Sequence, residues 1–461
     1  MAIQIYNTLT RLKQELTTLD PSELKLFVCG PTVYDYSHLG HGKTYTQFDF
    51  VARYLVFRGY EVFYLQNITD VDDKIIQRAR SKGVEPRELA AEFEGYYLED
   101  MRALHNTSVT EYARAHDFID QIVSQVKRLA DKGYAYRIPD GWYFDLSRFP
   151  GYGKLSRRTV VQADDALSRV DENPDKRNPG DFCLWKMRKP DEPFWTTDLG
   201  EGRPGWHIED TAITESVFGP QYDIHGGAVD LIFPHHEAEI AQMEGVSGLE
   251  PMVNAWMHTG FLRTIGARMA KSAGNFVTIR EALSQYDYRV LRYFFLSHHY
   301  RSAIDFGSHT LENAANALSR IDSFSRSIYP LTDDPDSGDL VSHYREAILE
   351  RLDDDFDTPG ALAALFDFIR EQNRRGNPGW RVFALLHELN SCFDFMNLAQ
   401  PDLDALVKEQ VERRENLRRE RRFQEADQIR DRLRADGIQL EDTLEGVRWW
   451  RDNAHSPELE S

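Results

Sequence analysis

Three short stretches hold residues whose types and spacing suit chemistry. In HLGHGKT (38 to 44), His38 and His41 stand three apart with Gly40 between them and Gly42 behind. At a helix start, backbone N–H groups and the helix dipole favour an anion, glycine lets a nucleotide phosphate come close, and the imidazoles donate to transient negative charge. Two histidines in one glycine-rich loop favour that role over a simple helix cap. The Gly-Lys-Thr that follows is not a Walker loop, because that pattern needs glycine where Ser37 stands. In IGARMAKSAGN (265 to 275), Arg268 and Lys271 lie among small residues and suit a clamp for pyrophosphate, most charged in the transition state. A solvated basic loop is the equal alternative. In PHHEAE (234 to 239), Pro234 opens a helix on which His235 and Glu239 are i, i+4, so both project from one face toward a single ion. His236 and Glu237 are expected to point elsewhere, behind those ligands or at the surface.

Recognisable elements position these groups. LKLFV (24 to 28) is a short apolar strand, and EVFYLQ (61 to 66) is a second, rich in β-branched and aromatic residues. Between them Phe48, Val51, Ala52, Leu55 and Val56 fall at i, i+3, i+4, i+7 and i+8, and Gly59 stops the helix. Residues 24 to 66 therefore read as one βαβ unit of a parallel sheet, with the loop at 29 to 42 at the carboxyl end of a strand, where ligands of such sheets sit. Residues 71 to 133 read as helices. From 134 to 205 the pattern turns to short strands and turns, as an insertion would. Strand character returns at YDIHGGAVDLIF and NAWMHTGFL, and Thr278 with Glu281 forms a capping box that starts a helix. Residues 280 to 400 are largely helical, broken at PLTDDPDSGD, and a charged helix over 411 to 434 leads to Trp449 and Trp450.

The chain has 461 residues, 41% of them hydrophobic, enough for two to four cored domains. No apolar leader and no run of ~18 apolar residues is present, so a cytoplasmic protein without membrane spans is expected. Cys29, Cys183 and Cys392 are too few and too far apart for a disulfide framework. The net charge of −20 repels nucleic acid on average, so a polyanion would have to be met by a local basic surface. Basic residues divide into 13 Lys and 42 Arg beside 75 acids, a balance that suits a cell with high internal salt.

The pair His38-Leu39-Gly40-His41 and Arg268-Met269-Ala270-Lys271-Ser272 resembles HIGH and KMSKS, the two signatures of class I aminoacyl-tRNA synthetases. FVCGPTVYDYSHLGHGKT, YLQNITDVDDKII, GRPGWHIE, DIHGGAVDLIFPHHEAEIAQ and the RMAKS loop, in this order, are similar to the cysteinyl-tRNA synthetase family. The resemblance spans nearly the whole chain, tail included. It implies an α/β fold: a Rossmann-like parallel sheet with an inserted connective domain, then a helical bundle and a C-terminal anticodon-binding tail. The corresponding segments are 1 to 133 and 206 to 262 for the catalytic halves, 134 to 205 for the insertion, 263 to 310 for a stem-contact region, 311 to 401 for the bundle and 402 to 461 for the tail.

By the same resemblance the enzyme joins cysteine to ATP, releases pyrophosphate, and passes cysteine to the 3′ end of tRNA-Cys, the protein contributing positioning and charge stabilisation rather than covalent catalysis.

 His38, His41 and Gly40 would meet the ATP phosphates and Lys271 the departing pyrophosphate, with Arg268 beside it. Gly227 and Asp230 stand where a close-approach glycine and a ribose-binding carboxylate are expected, and ATP enters with Mg2+ as substrate. Thr69 and Trp206 match positions that line the amino-acid pocket, although ordinary core packing is the other reading of Trp206. The family holds zinc with two cysteines, a histidine and a glutamate, and zinc takes the substrate thiolate, a soft sulfur preferred over a serine hydroxyl. The matching positions here are Cys29, Asp210, His235 and Glu239. Asp210 stands where the second cysteine is expected, and since aspartate is an acceptable zinc ligand, retained zinc with Asp210 bound is the expectation. Interleaved acids make a solvated, salt-bridged helix the ordinary reading of Arg413, Arg414, Arg418, Arg419, Arg421 and Arg422, whereas the resemblance implies that they, with Trp449 or Trp450, supply phosphate contacts and base stacking to the anticodon in a monomeric enzyme. Two alternatives stay open. A ligase that joins cysteine to an aminosugar shares the catalytic core, but the tail argues against it. A non-catalytic RNA-binding relative would need none of His38, His41 and Lys271.

Overall fold

The computed structural model describes residues 2–158, 173–264, 267–268, 276–328, 337–376, 378–398, 403–435, 438–443 and 446–451. Its centre is a parallel sheet of β1 (Leu24–Val28), β2 (Val62–Ile68), β3 (Glu111–Arg114), β4 (Tyr222–Ala228) and β5 (Val253–Thr259), in the order β5-β4-β1-β2-β3. Strands covered on both faces read as unbroken apolar runs, which is why LKLFV is legible as β1. β3 lies inside the stretch expected to be wholly helical. It is a four-residue edge strand, EYAR, with two charged residues and little apolar signal.

Helix α1 (Leu39–Phe57) joins β1 to β2 and starts four residues before Lys43, with His38 as its N-cap. Phe48, Val51, Ala52 and Leu55 are buried as the periodicity predicts, but Val56 is 57% exposed. The face opposite the sheet is buried too, because the helical region covers it: Phe50 packs on Phe393 at 5.0 Å between ring centroids. Arg292 locks this contact from inside, donating to Asp49 of α1 at 2.9 Å and to the carbonyl oxygens of Leu104 and Phe393.

Five short strands between residues 135 and 204 form a separate antiparallel sheet. Asp73 ties the helix Asp73–Lys82 to that sheet through Lys186 and Arg203. After it come α2 (Trp206–Phe218) and α3 (Glu237–Ser247), which flank β4. The segment expected as one strand, NAWMHTGFL, is split at Gly260 into β5 and a short strand Leu262–Thr264. The capping box is present: Thr278 Oγ1 accepts from the Glu281 amide at 3.1 Å, and Glu281 accepts from the Thr278 amide at 2.8 Å. Helices over 308–327, 338–353, 358–375 and 380–393 make the bundle. The expected single helix over 411 to 434 is two, Leu403–Arg419 and Phe423–Ala435, broken where Arg421 takes a φ of 63°. A β-hairpin, Ile438–Thr443 with Gly446–Arg451, follows and carries Trp449 and Trp450. Among the described residues no helix is long and apolar enough to cross a membrane.

Candidate active site and metal centre

β1 is central, and its two neighbours are reached by different routes, β2 through α1 and β4 only after the insertion. The crevice beyond the carboxyl ends of β1 and β4 is thus the switch point at which such sheets bind ligands. A cleft opens there, lined by Cys29, Gly30, His38, Gly40, His41, Thr69, Trp206, Asp210, Asp230, His235 and Gly260, among others.

Cys29, Asp210, His235 and Glu239 meet at the floor, all buried, with their ligand atoms within 4.8 Å of one another. Cys29 comes from the end of β1, Asp210 from the second turn of α2, His235 from the helical turn Ile232–His236 that leads into α3, and Glu239 from the first turn of α3. His235 Nε2 lies 3.0 Å from Asp210 Oδ2 and 2.9 Å from Glu239 Oε1. Cys29 Sγ lies 3.3 Å from Asp210 Oδ2. Burial and the adjoining Glu239 and Asp210 push the Cys29 thiol well above its ordinary range. Burial also lifts Glu239 to about 7, while His235 rises to about 10 because the two carboxylates outweigh its burial. Such a set holds protons because it is buried and its anions crowd one another, and a divalent cation relieves both by replacing the protons. One thiolate, one imidazole and two carboxylates are zinc donors, so the residues present fit the ion.

The surroundings hold four more histidines. His236 does not point elsewhere: it is buried, its Nε2 is 3.2 Å from Cys29 Sγ, and its Nδ1 is 2.8 Å from His258 Nε2. His225 Nε2 is 3.3 Å from the same sulfur, and its Nδ1 pairs with the Tyr222 hydroxyl at 2.7 Å. Cys29, His225, His236 and Glu239 thus form a second, overlapping group of four donors. His207 Nδ1 is 2.8 Å from His235 Nδ1, so His207 fixes the ring of a candidate ligand from behind. Burial drives His207, His225 and His236 well below the usual histidine range and His258 to about 3, so these rings are neutral. Glu237 is buried as well, accepting from the amides of Gly153 at 2.9 Å and Ser156 at 2.5 Å, where it anchors the insertion. Gly227 is not on the cleft wall. A Cβ there would fall 2.8 Å from the His236 ring, so the glycine makes room for that imidazole.

At the rim, His38 does cap α1, its Nδ1 accepting from the His41 amide at 3.2 Å, and the two imidazoles stack at 3.8 Å. Both still line the cleft with Gly40, so capping and ligand binding are compatible. Lys43 is turned away and buried, donating to the Gly260 carbonyl at 2.7 Å and the Tyr300 carbonyl at 3.2 Å, which accords with excluding a Walker loop. Trp206 is 36% exposed and stacks on His235 at 4.3 Å, so it is a wall of the cleft and not core. Thr69 and Asp230 also face the cleft. Lys271 lies outside the described residues, and of Arg268 only the backbone is described, in the strand Ala267–Arg268. The chain on either side of that loop reaches the rim: Gly260, Phe261 and Leu262 line the cleft, and the Leu39 amide donates to Val277 at 2.8 Å. In the tail, Arg413 and Arg419 are exposed, whereas Arg414 is buried and pairs with Glu415 at 2.9 Å.

Residues 15–316 match the family model for the tRNA synthetases class I (C) catalytic domain, and residues 347–400 match the DALR domain. The cysteine–tRNA ligase of Thermoplasma acidophilum is 44% identical over 97% of this chain and 100% of its own length. That of Thermococcus gammatolerans is 44% identical over 98% of this chain and 99% of its own. Among solved structures, Mycobacterium tuberculosis methionyl-tRNA synthetase in complex with methionyl-adenylate aligns with a TM-score of 0.59 at 16% identity, covering 81% of this chain and 88% of that one, a likeness of fold.

Proposed function

The chain belongs to the cysteine–tRNA ligases, and from that premise we propose how its residues divide the work. The enzyme activates cysteine with ATP, releasing pyrophosphate, and transfers the cysteinyl group to tRNA-Cys. The observation that carries the division is that one cleft has a floor of Cys29, Asp210, His235 and Glu239 and a rim of His38, Gly40 and His41.

At the rim, the start of α1 and the two stacked imidazoles hold the ATP phosphates, brought in with Mg2+, and donate hydrogen bonds as charge builds during attack on the α-phosphate. Lys271 and Arg268 take the leaving pyrophosphate, supported by the attachment of both flanks of their loop to the rim. Asp230 meets the ribose. Thr69 and Trp206 hold the amino acid, the indole closing over the His235 ring and keeping water from the floor. Cys29, Asp210, His235 and Glu239 hold zinc, with His207 fixing the His235 tautomer. Zinc, when bound, supplies a soft Lewis acid that prefers the substrate thiolate to a hydroxyl, which selects cysteine over serine without editing. The two reacting groups are held side by side, so the barrier falls by positioning and charge stabilisation.

The insertion and the region after residue 263 face the acceptor stem, and the tail from 402 meets the anticodon in a monomeric cytoplasmic enzyme. Elemental analysis is expected to find one zinc per chain; a metal-free enzyme that activates cysteine contradicts the metal assignment. Truncation at residue 402 is expected to weaken tRNA charging and spare ATP–pyrophosphate exchange, and equal loss of both contradicts the role given to the tail.

A further inference from the structure

A carboxylate differs from a thiolate in having two donor atoms. If Asp210 bound zinc through both oxygens, it would take up room that the substrate thiol needs. The two oxygens are in different surroundings. Oδ2 faces the cluster, 3.3 Å from Cys29 Sγ and 3.0 Å from His235 Nε2. Oδ1 faces Asn67, whose Nδ2 donates to it at 2.6 Å.

Asn67 is fixed at its other end. Its Oδ1 accepts from the Gly30 amide, next to Cys29, at 2.6 Å. Gly30 runs so close to β2 that a Cβ there would fall 1.7 Å from the Asn67 carbonyl oxygen. The amide cannot be reversed, because only its NH2 can donate to a carboxylate and only its oxygen can accept from a backbone N–H. Asn67 and Asp210 are each 2% exposed, so water does not compete for these bonds. A single side chain therefore braces the segment that carries one donor against the side chain of another.

We infer that Asn67 is a positioning residue that occupies Oδ1 and restricts Asp210 to one donor oxygen, so that an aspartate serves where a one-atom ligand is needed and the place for the substrate thiol stays open. This rests on the zinc assignment above.

The test uses the full-length enzyme loaded with Co2+, whose visible absorption is strong in four-coordinate sites and weaker as ligands are added. Asn67→Ala is expected to weaken the band and to raise KM for cysteine about tenfold, with KM for ATP unchanged. In an Asp210→Cys background the residue at 210 has a single donor atom, so there Asn67→Ala should leave the band intensity unchanged. An unchanged band in the native background, or an equal loss in both, overturns the inference. If Asn67→Ala does not fold, X-ray absorption of the native zinc enzyme decides: carboxylate oxygens at ~2.0 Å only support it, and an added longer one overturns it. Native enzyme that takes up no metal sinks the zinc assignment and this inference together; one metal per chain with unchanged spectra sinks the inference alone.

Discussion

The floor and the rim of the cleft are built by different means. The floor is made of buried side chains that hold one another: five histidines, two carboxylates and a thiol, supported by Asn67, Tyr222 and Thr8. The rim is the first turn of α1, Gly40 with the stacked rings of His38 and His41, strapped to the chain at Val277 and only half-buried. The difference follows from the chemistry. Choosing sulfur over oxygen requires donors that do not move, whereas stabilising a charge that appears only during reaction requires an open anion site that a loop can complete.

That contrast predicts separable failures. The largest effect is expected from Cys29→Ala, which removes the sole thiolate from the floor: zinc content and cysteine-dependent exchange should both fall to background. Retained zinc with normal exchange would erase the distinction. His41→Ala should lower kcat about 10²- to 10³-fold while leaving zinc content at the native level, since it acts only at the rim. Loss of zinc in that variant would show that the two ends are not independent. His207→Ala leaves every donor in place but frees the His235 ring, so zinc affinity, read by competition with a chelator, should weaken about 10- to 100-fold.

The smallest effect is one of pH, on the buried side of α1 behind the rim. Burial holds the Lys43 ammonium down from 10.5 to about 7. Between those values the unfolded chain carries a proton that the folded one has shed, so folding stability contributed by this group rises with pH from about 7 to about 10. Lys43→Met should flatten that rise in a series of thermal melts. An equal rise in both proteins would assign it to other groups.

How much of this was legible in the sequence follows the same division. The βαβ unit was readable because strands buried on both faces and a helix with one apolar stripe leave plain periods, and the His235 and Glu239 pair was readable because helical spacing alone brings them together. β3 was not, since an edge strand of EYAR carries almost no apolar signal, and the break at Arg421 has neither glycine nor proline to mark it. Cys29 and Asp210 came from resemblance, because 181 residues separate them and only the fold unites them. Nothing in their spacing assigns His207, His225 or His258, and that of His236 predicts the wrong direction, because side-chain direction at a helix start depends on which strands lie beneath. Five of the chain's 15 histidines fall between 207 and 258, a concentration that would have pointed to the floor.

The central claim is that the floor selects cysteine through a metal held by Cys29, Asp210, His235 and Glu239. The most direct test is ATP–pyrophosphate exchange by the native enzyme with cysteine and serine side by side, before and after zinc is stripped by a chelator. Exchange that depends on cysteine, ignores serine and disappears with the metal is the predicted result. Exchange with cysteine that continues unchanged in metal-free enzyme would contradict it.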